Sequence, residues 1–481
     1  MAKKTALVWL RHDLRVADNP ALYHALDSYE KVYAIYILDQ NQEQEWAVGG
    51  AKKVWLHHSL GALNERLNGK LSFLKGDSAS LVKSVVKDRD IDAVYWNRYY
   101  DEHTINRDKK LKSYLQDNDI EVETFNASLL WEPWEISKSD GTPYKVFTPY
   151  YKNGCLEAKE PRQPLPMPSG QKRENLVALQ NSVSLDELEL LPSINWHSSI
   201  ESAWEMDESG ANKCLEEFLD KGIHGYKEKR NNPAQRHTSR LSPYLQTGEI
   251  SPHTVWHAVQ ERLAANDVPS NDAHHFLSEL GWREFSYSLL YHFPKLPHEP
   301  LQEKFKDFPW VENDKHLNAW QTGQTGYPIV DAGMRELWQT GWMHNRVRMI
   351  VGSFLVKHLR LHWHHGEEWF WDCLVDADHA NNAASWQWIA GCGADAAPYF
   401  RIFNPMTQGE KFDSEGEYIK KYVPELKDMP LKHLNAPWDA PDDVLKKAGV
   451  KLGDNYPKPL VDHSEARNYA LDAFQEIKKG S

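Results

Sequence analysis

The chain has little cysteine and no long apolar run. Its four cysteines, Cys155, Cys214, Cys373 and Cys392, form no C-x-x-C pair. That argues against a zinc or iron–sulfur centre and against a disulfide framework, and reduced, mostly buried thiols are expected. No stretch approaches the roughly 18–20 consecutive apolar residues of a membrane span. Met1-Ala2-Lys3-Lys4 leads straight into a strand-like run without a signal-peptide core, so a cytoplasmic protein with no membrane partner is expected. There is no G-x-G-x-x-G turn, which removes the standard dinucleotide fingerprint. Basic charge is in deficit: Lys+Arg number 56 against 69 Asp+Glu, a net charge of −13. Taken alone, that speaks against a nucleic-acid partner.

The charge is unevenly spread, however. Lys229 to Gly248 contains no acid but holds Lys229, Arg230, Arg236 and Arg240. Leu337 to Gly366 is also acid-free and holds Arg346, Arg348, Lys357 and Arg360. Basic islands in an acidic chain suit a localised phosphate-binding face. Chance clustering, or pairing with acids elsewhere, explains them equally well from composition. The twenty tryptophans are the other surplus; most must pack in cores.

A length of 481 residues implies more than one domain. Thr5–Leu10, Lys31–Leu38, Leu71–Lys75, Asp92–Asn97 and Glu121–Phe125 read as short strands, with helical patterns such as Ala51–Leu67 between them. That order predicts a doubly wound, parallel five-stranded α/β domain over 1–130. Residues 131–200 lose the rhythm. Glu160–Pro168 carries prolines that exclude a helix or central strand, so a long linker is expected. From 201 to 481 the pattern is helical.

Several segments carry a resemblance. Ala6–Leu22, Trp282-Arg-Glu-Phe285, Gly341–Met349, Asp376–Trp388 and Asp395–Pro405 stand in the order and spacing of the DNA photolyase/cryptochrome family. Across nearly the whole chain the sequence resembles that family, nearest its bacterial cyclobutane-dimer branch. The resemblance implies FAD in the large helical domain, an antenna pigment on the α/β domain, and damaged DNA as partner to a monomeric enzyme.

Each motif also has a reading from its own chemistry. Thr238-Ser-Arg-Leu-Ser242 precedes Pro243 and a helical pattern, so it is an ordinary N-cap or an anion site; the resemblance assigns Thr238, Ser239, Arg240, Leu241 and Ser242, with Tyr226, to the FAD pyrophosphate. Glu279, Trp282 and Arg283 share a helical face. They read as a surface pair beside a packed tryptophan, or, by resemblance, as a stacking wall for a flipped-out dimer with Glu279 on the thymine carbonyl region. Trp342, Asn345 and Met349 are spaced as one helical face, as are Asp378, Asn382 and Trp386. By resemblance Asn345 and Met349 line the cofactor and substrate pocket, Arg346 touches DNA phosphate, and Arg348 supports the flavin. Phe276, Glu279, Arg283, Trp342, Asn345, Asp376, Asp378 and Asn382 join the FAD set, and Arg230, Arg283, Met349, Trp388 and Arg401 join Trp282 and Arg346 in the DNA set. Arg230, Arg283, Arg346 and Arg401 are expected to line one face. Catalysis falls to Glu279, Asn345, Met349 and Asn382. An uncharged Asn382 donates to or accepts from the flavin without forcing its protonation, whereas an Asp there hands over a proton. The family's electron relay maps onto Trp386, Trp363 and Trp310.

The implied activity is light-driven splitting of cyclobutane pyrimidine dimers by reduced FAD. The alternatives are a blue-light sensor of the cryptochrome type and repair of the six-four photoproduct. The latter needs imidazoles where Asn345 and Met349 stand. Asp101-Glu-His-Thr104 departs from one folate-binding pattern of the family. Methenyltetrahydrofolate is the favoured antenna, 8-hydroxy-deazaflavin another candidate, and the absence of an antenna a third alternative. His358, His362, His364 and His365 suggest a metal, with His358 and His362 spaced i, i+4 as on one helical face, but no supporting Cys or H-E-x-x-H is present, and none is expected.

Overall fold

Five apolar segments form one parallel sheet: β1 (Thr5–Leu10), β2 (Lys31–Asp39), β3 (Leu71–Gly76), β4 (Ala93–Asn97) and β5 (Glu121–Phe125). The spatial order is β3-β2-β1-β4-β5. The chain therefore winds outward from β1, then returns to wind the other way. Parallel strands need crossovers and are covered on both faces, which is why they read as continuous apolar runs. Ala6, Val8 and Leu10 face α1 (Pro20–Ser28) and α2 (Gly50–Arg66). Leu7 and Trp9 face α3 (Ser78–Asp88) and α4 (Glu102–Asp117). Caps fix where the helices start: the side chains of Asn19, Asp77 and Asp101 accept backbone N–H groups of the first turns of α1, α3 and α4.

The computed structural model describes residues 4–40, 47–396 and 400–479. Met1–Lys3, and Ala397–Tyr399 of the Asp395–Pro405 motif, lie outside the described residues. The chain divides into two compact units, Met1–His224 with Ser239–Pro294, and Gly225–Thr238 with Lys295–Ser481. In the first unit the proline run Glu160–Pro168 is irregular, as its composition requires. The connector after it touches the sheet through isolated bridges, Val32 to Leu176 and Phe73 to Val183. The same unit holds α5 (Pro252–Ala264) and α6 (Ser270–His292). In the second unit, α7 (Pro328–Thr340), α8 (Asn345–Ser353), α9 (Trp363–Cys373), α10 (His379–Ala390) and α11 (His463–Lys479) surround a single apolar cluster. Among the described residues no helix is long and apolar enough to cross a membrane.

A buried carboxyl ties the connector to α6. Glu284 Oε2 accepts the backbone N–H groups of Leu130 and Trp131 at 2.9 and 3.2 Å. Burial pushes its pKa from 4.5 up to about 7, against the opposing charge of Arg283. Between those values the folded chain binds a proton that the unfolded chain has lost, so Glu284 weakens the fold progressively as pH rises through that window. Glu284→Gln keeps an acceptor for the two N–H groups. The gain in unfolding free energy of the variant over wild type should therefore grow from about pH 4.5 to about pH 7 and stay flat above, as read by urea unfolding across pH.

Candidate functional site

In the second unit, three helices converge on one indole. Trp386 of α10 is 3 % exposed. A Cβ built on Gly366 of α9 would stand 2.1 Å from its Cη2, and one on Gly352 of α8 3.5 Å from its Cζ3. Phe370 and Trp320 close the pocket edge-on, at ring-centroid distances of 5.0 and 6.2 Å. One turn before Trp386, Asn382 is buried, and its Nδ2 donates to the carbonyl oxygen of Glu367 on α9 at 2.9 Å. Trp363 opens α9 and is buried. His362 stacks beside it at 5.5 Å and meets Trp310 at 5.0 Å, so imidazole links the outer two indoles.

Three spacing arguments need correction. Trp342 does not share a helical face with Asn345 and Met349, because α8 begins at Asn345 with His344 as its cap. Trp342 lies before the helix, buried, with the Arg348 guanidinium 5.9 Å from its ring. Asp378 likewise precedes α10. Its carboxylate accepts the Asn381 N–H at 2.8 Å, so it caps the helix and does not extend the stripe of Asn382 and Trp386. His358 and His362 are not on one helix either. The helical turn ends at His358, Arg360 has φ +52°, and His358 Nε2 pairs with His463 Nδ1 at 2.8 Å.

Cations gather at the start of α8. Arg346 donates to Asn231 Oδ1 through Nε and Nη2, at 3.1 and 2.7 Å. Burial, then the charges of Arg230 and Arg401, push its pKa below the ordinary range. Burial, then Arg230, Arg346 and Arg348, push His344 down to about 3, so its ring is neutral. Arg348 is neutralised at 2.7 Å by Asp376. The Arg230 guanidinium lies 5.2 Å from the Tyr226 ring. Asn345 and Arg401 are exposed, and Met349, Trp388 and Thr238 half-buried.

In the first unit, α6 presents Phe276, Glu279, Trp282 and Arg283, with Phe276 buried against Phe218 at 4.5 Å. Trp282 stacks on Phe147 at 3.7 Å and 10°. Phe147 was passed over because it sits in the region read as linker. The aromatic run Tyr144–Tyr151 was the available signal. Asn231, which holds Arg346, had no signal at all. Arg283 turns inward: its Nη1 donates to Ser128 O at 2.6 Å, and the guanidinium lies 4.9 Å from the Tyr287 ring. Arg240 takes φ +54° and sits 4.2 Å from the Trp204 ring. Leu241 is buried, Ser239 Oγ accepts its N–H at 3.4 Å, and Ser242 is exposed.

Within the second unit, the Arg348 guanidinium steadied by Asp376 and the uncharged amide of Asn382, with its oxygen remaining as an acceptor, are groups that suit a flavin nucleotide. Among the described residues no cluster of three metal-ligating side chains occurs.

The comparisons agree with this chemistry. Residues 6–169 match the family model described as DNA photolyase, and 276–476 the one described as the FAD binding domain of DNA photolyase. The chain is 46 % identical over the whole of both chains to a deoxyribodipyrimidine photo-lyase of Agrobacterium fabrum. It is 35 % identical to Cryptochrome-1 of Arabidopsis thaliana, over 98 % of this chain and 70 % of that one. The crystal structure of a bacterial class III photolyase from Agrobacterium tumefaciens matches with a TM-score of 0.94 and 44 % identity, over 100 % of this chain and 98 % of that one. The chain belongs to the DNA photolyase/cryptochrome family.

Gly366→Ala tests the convergence on Trp386. In a helix interior the change gains about 1 kcal/mol from propensity. Here the new methyl meets three atoms of a buried ring between 2.1 and 2.5 Å, and overpacking of that kind costs about 1–3 kcal/mol. The ring cannot swing away, so denaturant unfolding should show a net loss of stability.

Proposed function

We propose that this protein uses FAD and light to split cyclobutane pyrimidine dimers in DNA. The observation that carries the reading is the group of cations about Arg346, where Arg230 and Arg401 each stand near enough to repel its charge in a chain of net charge −13. Like charges are held together at a cost, and a phosphate backbone is the ligand that repays it. The relative from Agrobacterium fabrum is named a deoxyribodipyrimidine photo-lyase, which supports the same activity. Residue choice also favours the dimer over the six-four lesion: Asn345 and Met349 stand where imidazoles would be needed.

Reduced FAD, when bound, supplies the absorption of light and the electron. The side chains bind, orient and desolvate. Arg230, Arg346 and Arg401 hold phosphates of the damaged strand. Trp282, stiffened from behind by Phe147, offers a flat wall to an extruded pair of bases. Glu279 takes the thymine carbonyl side. Tyr226, Thr238, Ser239, Arg240, Leu241 and Ser242 hold the pyrophosphate end, and Phe276, Trp342, Arg348, Asp376 and Asp378 shape the flavin pocket. Asn382, uncharged and tied to α9, keeps a neutral acceptor beside the flavin ring. Trp386, Trp363 and Trp310 would pass electrons inward from an external reductant to the flavin. The domain reading goes with it: 1–130 as antenna domain, 131–200 as linker and 201–481 as catalytic domain, in a cytoplasmic monomer. A planar antenna such as methenyltetrahydrofolate finds aromatic surface at exposed Trp134, 5.6 Å from Tyr291 and 6.2 Å from Tyr100.

The deciding assay illuminates a dimer-containing oligonucleotide with the flavin fully reduced and follows recovery of thymine absorbance. Recovery is expected; none under blue light would reject the assignment in favour of the sensor. Trp282→Ala should lose about 1–3 kcal/mol of binding to the damaged strand, one base–aromatic stack. Trp386→Phe should slow photoreduction strongly while leaving repair by pre-reduced protein largely intact; unchanged photoreduction would remove Trp386 from the relay.

A further inference from the structure

Lys357 belongs to the second basic island by sequence, yet it is 1 % exposed and cannot face a phosphate. It lies in the turn Phe354–His358 that continues α8. Its Nζ donates to the carbonyl oxygen of Ala390, the last residue of α10, at 2.6 Å. The same Nζ stands 3.1 Å from the centroid of the Phe400 ring. Orphan carbonyls at a helix C-terminus and the face of an aromatic ring are both electron-rich. Lys357 thus joins two separate segments with one group. Burial pushes its pKa well below the ordinary range, with the Cys392 thiol as the opposing influence. Amine and ammonium alike donate to a carbonyl.

The second segment is seated by further contacts. Phe400 stacks on Phe474 of α11 at 4.4 Å and 5°. Phe403 N–H donates to Ser353 Oγ at 3.2 Å, at the end of α8. Trp388 Nε1 donates to Asp395 O at 3.1 Å. Gly391 ends α10 with φ +93°, and a Cβ there would stand 3.3 Å from Phe400 and 3.4 Å from Lys357 Nζ. A small cavity of about 40 Å³ has Lys357, Trp388 and Arg401 among its lining residues. A buried polar nitrogen is expensive, and methionine would fill nearly the same volume; the lysine supplies the bond to Ala390 that no apolar residue can.

We propose that Lys357 is a positioning residue for binding of the damaged strand. It ties Phe400–Phe403 to the C-terminal end of α10 and so fixes where the Arg401 guanidinium stands relative to Trp388. This rests on the photolyase reading for what Arg401 binds, but not for the tie itself.

The test compares wild type, Lys357→Met, Arg401→Ala and the double variant as full flavin-loaded chains. Without DNA, amide exchange at residues 400–403 should rise about tenfold or more in Lys357→Met. With a dimer-containing duplex, Lys357→Met should lose affinity, and its salt slope should fall by about one, the worth of one phosphate contact. The double variant should bind no more weakly than Arg401→Ala alone. A merely structural lysine would leave the slope intact and make the two losses multiply; either result, or unchanged exchange at 400–403, overturns the proposal. If Lys357→Met does not fold, Phe400→Leu, which keeps the lysine and removes the ring, carries the same comparison. A wild type that does not prefer dimer-containing DNA rejects the photolyase reading, and the exchange result alone then decides whether Lys357 holds the segment.

Discussion

Two helices approach closely only where one of them lacks a side chain, and Trp386 occupies such a place twice. Its indole lies over Gly366 of α9 and beside Gly352 of α8. A large rigid ring set on two glycines fixes both the spacing and the rotation of three helices. The other candidate groups of this unit inherit their positions from it. Asn382 is one turn back along α10, and Trp363 is three residues before Gly366 on α9. Asn345, Arg346, Arg348 and Met349 are on the same helix as Gly352. Precision in a functional site comes from packing of this kind beneath it more than from the polar groups displayed.

Electrostatics is layered on that frame. The net charge of −13 is a property of the whole surface, but a phosphate feels charges only within about one Debye length, roughly 8–10 Å in physiological salt. Arg346 registers the charges of Arg230 and Arg401. The local field therefore wins over the global one. The protein manages the repulsion unequally. Arg348 is discharged by Asp376, and Arg346 is merely oriented by the neutral Asn231. A neutral partner holds a guanidinium in place without cancelling the charge that a phosphate would use.

The sheet was legible almost residue for residue. Parallel strands buried on both faces produce uninterrupted apolar runs, and three of the helices between them start at the caps Asn19, Asp77 and Asp101. The helical unit was legible as helices but not in its boundaries. Trp342 and Asp378 fit a 3.6-residue repeat by count alone, while each sits before the first turn of its helix. Periodicity cannot see a cap that starts a helix inside the pattern. Side-chain partners distant in sequence were illegible for a different reason. Nothing in the local residues of Asn231 or Lys357 announces Arg346 or Ala390, and the aromatic run around Phe147 does not name Trp282 as its partner. Such pairs arise from tertiary packing, and charge clustering along the chain misassigned the buried Lys357 to the surface.

The Asn382 contact with α9 bears on why an amide stands there. Its Nδ2 donates to the Glu367 carbonyl oxygen, so the residue at this position must be a donor toward α9. Asparagine meets that demand in every protonation state of its surroundings and still keeps an acceptor oxygen. An aspartate could meet it only when protonated, because an ionised carboxylate facing a carbonyl oxygen in a buried setting would be repelled and unsolvated. The fold would therefore hold an aspartate at 382 as a neutral acid, with its proton directed at the Glu367 carbonyl oxygen. Exchanging amide for acid at this one position thus adds a group that must keep its proton, without moving the backbone.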